Sequence, residues 1–155
     1  MAMEEEEFCV AENDSDARRR YITSSLKIRL HQKSFRELVL SAYRDQCSIC
    51  RLRHTELLEA AHILPDKHPL GEPTVSNGLA LCNLHHAAYD KNILGITPDL
   101  QIQIRQDILE EIDGPMLLHG LQGFQGAKIS TPRSSHLKPN PAFLEERFKI
   151  FVAAY

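Results

Sequence analysis

Apolar positions along this chain fall into helical spacing in some stretches and strand-like runs in others. In "SFRELVLSAYRDQ" (34–46), Phe35, Leu38, Val39 and Ala42 recur at helical spacing behind Ser34, a residue suited to capping a helix. A helix is expected there. "ELLEAAHIL" (56–64) is short, apolar and stopped by Pro65, which favours a strand, and "LALC" (79–82) suits a second one. Between them "PDKHPLGEPTVSNG" (65–78) is dense in Pro, Gly, Asp, Ser and Asn and reads as a loop. "NLHHAAYDKN" (83–92) fits a short helix. "NILGITPDLQIQIRQDIL" (92–109) sets a Thr-Pro-Asp turn between β-rich runs, as in a hairpin. "GPMLLHGLQGFQGAKI" (114–129) is Gly-rich and irregular. "NPAFLEERFKIFVAAY" (140–155) opens on Asn-Pro and brings Phe143, Leu144, Phe148 and Phe151 to one face, giving a closing helix. The expected class is α+β.

Length and composition narrow this picture. A chain of 155 residues supports one domain with a real core and is short for two. Hydrophobic content of 43% and charged content of 25% match a soluble globular protein. No apolar run approaches the roughly 18 residues of a membrane span, and the N-terminus is acidic, unlike a signal peptide. A cytoplasmic location is therefore expected, with no membrane partner. Thiols stay reduced there, so the four cysteines are better metal ligands than disulfide partners. There is no internal repeat. Residues 1–16 read as a disordered acidic N-terminus, with Cys9 outside any motif spacing, and 17–155 as a single domain.

The net charge of −3 hides an asymmetry. Residues 1–16 carry seven acids and no base, whereas residues 17–53 carry ten Lys or Arg against only Glu37 and Asp45. Such runs form either solvated faces or a basic surface for phosphates shielded by the acidic tail. Charge alone leaves both readings open.

Metal chemistry is written more sharply. Cys47-x-x-Cys50 and Cys82-x-x-His85 are two short bidentate knuckles about thirty residues apart. A structural zinc ion takes four tetrahedral N/S ligands, and ligands at x-x spacing let one tight turn supply two of them. Cys47, Cys50, Cys82 and His85 are the expected zinc set; the x-x spacing favours His85 over its neighbour His86.

With His86 left over, the order C-x-x-C, A-A-H-I, S-N-G-L-A-L-C-x-x-H-H resembles the HNH endonucleases. Their ββα-metal core is often stapled by a zinc knuckle pair. The resemblance covers about residues 34–97, with 98–155 as a C-terminal extension of hairpin plus helix, and is greatest to the HNH domains of restriction and defence nucleases. It implies hydrolysis of DNA phosphodiester bonds, with His62 as general base, Asn77 as the residue that orients it, and His86 as ligand to a catalytic Mg²⁺ or other divalent ion. An imidazole near its natural pKa suits proton transfer from water, and a metal ion suits charge on the scissile phosphate. Asp90 lies four residues beyond His86, on the same helix face, and is a second candidate ligand or a brace for the His86 ring. Many members carry a further ligand immediately before the base histidine. Here that position is Ala61, for which Glu59 or Asp90 could compensate; the alternative is an inactive zinc-stapled module that binds nucleic acid or a partner. Arg51, Arg53 and Lys91 are candidate phosphate contacts, with Arg18, Arg19, Arg20 and Lys67 beyond them. A second copy of the chain and a regulatory or sensor subunit are further candidate partners.

Successive residues on a helix point about 100° apart. His85 and His86 are therefore expected to serve different metals, His85 the structural zinc and His86 the catalytic ion.

Overall fold

The computed structural model describes the backbone of residues 5–155 and the side chains of residues 15–155. The chain divides into two compact units, Met1–Ser34 and Phe35–Tyr155. Helix α1 (Glu5–Ala42) runs through the boundary. Residues 5–16, expected to be disordered, are its first turns; residues 1–4 and the Cys9 side chain lie outside the described residues. Ser34 is accordingly not a cap but an interior position of α1. Between residues 15 and 34 every side chain except Ser25 is exposed.

In the second unit, the last turns of α1 bury Phe35, Val39 and Leu40, and Tyr43 is buried just beyond the helix end, whereas Leu38 faces solvent. The buried stripe is thus displaced from the Phe35–Leu38–Val39–Ala42 face read from the sequence. Arg44 and Asp45 follow with φ of 59° and 52°, and the Asp45 N–H donates back to the Leu40 carbonyl (2.8 Å), which ends the helix tightly. That turn delivers the chain directly into Cys47.

Strands β1 (Leu58–His62) and β2 (Gly78–Cys82) pair antiparallel, with Leu58 opposite Cys82 and His62 opposite Gly78. Helix α2 (Asn83–Asp90) follows β2 without a break, so a ββα unit is formed. Tyr43 and Arg36 tie α1 to it. The Tyr43 hydroxyl donates to the Gly78 carbonyl (3.1 Å), and the Arg36 guanidinium donates to the Thr55 (2.9 Å) and Leu58 (3.2 Å) carbonyls. At Gly78 a Cβ would lie 2.6 Å from a Val39 methyl and 3.0 Å from the Phe35 ring. This glycine is what lets α1 approach the strand pair so closely.

A second antiparallel pair, β3 (Leu94–Ile96) and β4 (Ile102–Ile104), forms the expected hairpin around Thr97-Pro98-Asp99. It ends earlier than expected, because residues 106–110 form helix α3 (Gln106–Glu110). The segment read as irregular holds helix α4 (Pro115–Gly120) and a 3-10 turn at Gln122–Phe124. Closing helix α5 (Pro141–Ala153) is capped as its Asn-Pro start implies: Asn140 Oδ1 accepts from the Ala142 N–H (3.0 Å). It buries Leu144 and Phe151, with Phe143 packed beside them, and Phe151 lies over β3 at Gly95. The α+β class with a ββα core, a hairpin and a closing helix is the architecture observed.

Candidate metal and catalytic sites

The two knuckles meet. Cys47 sits in a tight turn where its N–H donates to the Leu52 carbonyl (2.9 Å) and its carbonyl accepts from the Arg51 N–H (2.9 Å). Arg51 takes φ of +64° to close that turn. Cys82 ends β2 and leads into α2, and His85 lies one helical turn further on. The ligand atoms of Cys47, Cys50, Cys82 and His85 all lie within 4.8 Å of one another. Cys50 Sγ and Cys82 Sγ are 3.9 Å apart, and His85 Nδ1 is 3.6 Å from Cys47 Sγ and 3.2 Å from Cys82 Sγ. Ligands around a tetrahedral zinc ion, at its usual S and N bond lengths, are roughly 3.5–3.8 Å apart. The donor set and the spacing fit such an ion, so this cluster could hold a metal.

The surroundings of His85 support the same use. Its Nε2 donates to the Gly120 carbonyl of α4 (2.7 Å), which leaves Nδ1 turned toward the sulfurs. A ligating histidine ordinarily has its second nitrogen fixed in this way. Burial opposes a charge on His85, but the contacts with Cys47, Cys82 and Gly120 outweigh it and push the imidazole up to about 10. Hydrogen bonding from Cys50 and Cys82 lowers the Cys47 thiol. Hydrogen bonding with Cys47 and Cys82 pushes the Cys50 thiol up, so the proton is shared unevenly among the sulfurs. Phe124 closes one side, with its ring edge-on to His85 at 5.5 Å.

His86 has a different environment. It is half-buried on α2, with Nδ1 against a Glu59 carboxylate oxygen and Nε2 3.2 Å from Asp90 Oδ2. Side chains alternate along a strand, so Glu59 shares its face of β1 with Ala61, the position that carries no ligand. Glu59 is held in turn by Asn83, whose amide nitrogen, oriented by its partners, donates to Glu59 Oε1 (3.2 Å) and to the Leu57 carbonyl (3.2 Å). Among the described residues the Cys3His set is the only group of three or more that converges on one point. The carboxylates at His86 bracket its ring from both sides.

His62 ends β1 on the opposite pleat. Its ring stacks on Phe35, with centroids 4.1 Å apart and planes 14° from parallel, and Nε2 is 3.5 Å from Asp66 Oδ1. From the sequence Phe35 reads only as an apolar helix position, and Asp66 carries one signal, its i, i+4 spacing from His62. Asn77 is fully buried and lies near His62 in the chain fold, but its side chain serves the backbone. Both its amide hydrogens are taken, by the Leu64 (2.9 Å) and Glu72 (2.8 Å) carbonyls, and its Oδ1 accepts from the Leu64 N–H (2.9 Å). With the Ile63 N–H donating to its carbonyl (2.9 Å), Asn77 pins the chain that leaves His62. Arg51, Arg53 and Lys91 are exposed.

Two comparisons place this geometry. Residues 47–97 match the model of a family described as HNH endonuclease. A solved structure with a similar fold is described as a modification-dependent TagI restriction endonuclease; it is 19% identical, with a TM-score of 0.50 over 76% of this chain and 37% of that one. No curated protein matches the chain. The segment that supplies both histidine environments is thus similar to the HNH endonucleases, and the chain spans little more than a third of the restriction enzyme's length. No helix among the described residues is long and apolar enough to cross a membrane.

Proposed function

We propose that this chain is a metal-dependent HNH endonuclease that hydrolyses DNA phosphodiester bonds, acting in restriction or a related defence. The observation that carries the reading is the ββα unit itself: β1 ends on His62, and α2 presents His86 between Glu59 and Asp90 beside a preformed Cys3His cluster. In this reading Cys47, Cys50, Cys82 and His85 hold structural zinc. His86 and Asp90 hold a catalytic Mg²⁺ or similar ion, which supplies stabilisation of charge on the scissile phosphate.

His62 takes the proton of the attacking water. Stacking on Phe35 fixes the ring plane, and Asp66 lies beside Nε2, so the imidazole enters the reaction already oriented. Asn77 acts through the backbone it pins, holding the end of β1 in place. Arg51, Arg53 and Lys91 contact phosphates flanking the cut. Incubation of plasmid with purified protein in Mg²⁺, Mn²⁺ or Ni²⁺ tests the proposal. Nicking that requires the ion and is lost in His62→Ala is expected; cleavage that survives this substitution would refute it. Retained DNA binding with no cleavage in any ion would instead favour an inactive binding module, the reading that Ala61 admits.

A further inference from the structure

The two carboxylates on His86 are not equivalent. Glu59 reaches across from β1 and is itself anchored, since Asn83 donates to its other oxygen and to the Leu57 carbonyl. Asp90 is the last residue of α2 and more exposed, and its Oδ2 lies 3.2 Å from Nε2. A neutral imidazole carries one N–H. If that hydrogen is on Nδ1, it is donated to the fixed Glu59 carboxylate, and Nε2 and Asp90 Oδ2 are then two acceptors facing each other. Two acceptors at this separation are reconciled by a proton shared between them or by a metal cation at that edge. Oxygen and nitrogen ligands on neighbouring corners of a divalent ion, with bonds of about 2.1 Å, are roughly 3 Å apart.

We infer that Glu59 is a positioning residue: it holds the His86 ring with its hydrogen on Nδ1, so that Nε2 and Asp90 form the open edge that takes the divalent ion. Glu59 therefore does not replace the ligand absent at Ala61. It sits one strand repeat before that position, on the same face, and acts one bond further from the ion, through the imidazole. The inference rests on the reading of His86 as an ion ligand, and it adds which nitrogen binds and why.

Histidine tautomers are read from two-bond ¹H–¹⁵N correlation spectra of the full chain with its cysteine cluster loaded, and His86 is assigned from the signals lost in His86→Gln. Wild type is expected to show His86 as the Nδ1–H form, and Glu59→Ala to shift it toward Nε2–H. Glu59→Gln, whose amide oxygen still accepts, should keep the wild-type form. In Mn²⁺ titrations by calorimetry, Glu59→Ala should bind about 10- to 100-fold more weakly. Glu59→Gln should fall between the two, and Asp90→Asn should bind weakly with the tautomer unchanged. An Nε2–H or doubly protonated His86 in wild type would overturn the inference, as would equal Mn²⁺ loss in Glu59→Gln and Glu59→Ala with no change of tautomer, which would make Glu59 a ligand. The tautomer is measured without DNA, so a protein that proves unable to cut can still pass or fail this test.

Discussion

His85 and His86 are neighbours on one short helix, yet their surroundings have little in common. His85 is buried, faces three sulfurs and is braced by a backbone carbonyl from α4. His86 is half-exposed and faces two carboxylates, one from β1 and one from its own helix. Soft thiolates in a closed shell suit a structural ion, and oxygen ligands at an open edge suit an ion that must also meet water and phosphate. In the proposed reading the ββα unit separates stability from chemistry over a rotation of about 100°. One face of α2 is spent on the fold, and the next is left to the solvent.

The largest effect should come from breaking the closed side. His85→Ala removes one of four ligands and leaves a void beside Phe124 and Gly120. Metal bound at such a site is itself folding free energy, on the order of 10 kcal/mol in small zinc domains, which rivals the whole stability of an ordinary domain. If the cluster holds zinc as proposed, purified His85→Ala is expected to lack the zinc found in wild type by elemental analysis and to lack a cooperative thermal transition. A variant that keeps both would show that Cys47, Cys50 and Cys82 suffice.

A smaller effect should follow from loosening the far end of α2. Arg147 of α5 donates to the Tyr89 carbonyl (2.6 Å) and to Asn92 Oδ1 (2.7 Å), and its guanidinium lies 4.7 Å from the Tyr89 ring centroid. It clamps the helix end next to Asp90. Hydrogen bonds from a charged donor together with a cation–π contact are worth about 2 kcal/mol here. For a chain of this size Arg147→Ala should lower the melting temperature by about 4–8 °C in calorimetry. Zinc content should not change, because the clamp lies beyond the closed side.

What could be read from the sequence divides along the same line. The Cys47, Cys50, Cys82 and His85 set was readable because short x-x spacings are local, and covalent spacing limits each pair to a single tight turn. The strands, the 94–104 hairpin and the Asn140 cap were readable for the same reason. The partners that make the sites specific are long-range. Nothing near residue 120 marks the Gly120 carbonyl as the brace of His85, and nothing in α5 marks Arg147 as a clamp on α2. Asn77 was read through its family role of orienting His62, but its amide is bonded to Leu64 and Glu72, a pairing that exists only once the 65–78 loop is closed. The stripe on α1 was misplaced for a different reason. Leu38 fits the helical period, but the helix starts near residue 5 and meets the strands along Phe35, Val39 and Tyr43 instead.

The smallest effect on the fold should be the most telling. His86→Ala removes a half-exposed ring whose bonded partners, Glu59 and Asp90, are both open to water and can be solvated when it is gone. Exposed pairs of this kind contribute about 0–1 kcal/mol, so the melting temperature should stay within a few degrees of wild type and zinc content should be unchanged. Mn²⁺ binding and plasmid nicking should both disappear, because the helix face that would meet the ion loses its nitrogen. Loss of zinc in His86→Ala equal to that in His85→Ala would mean that the neighbouring histidines share one ion, and the division of α2 into a closed and an open face would fall with it.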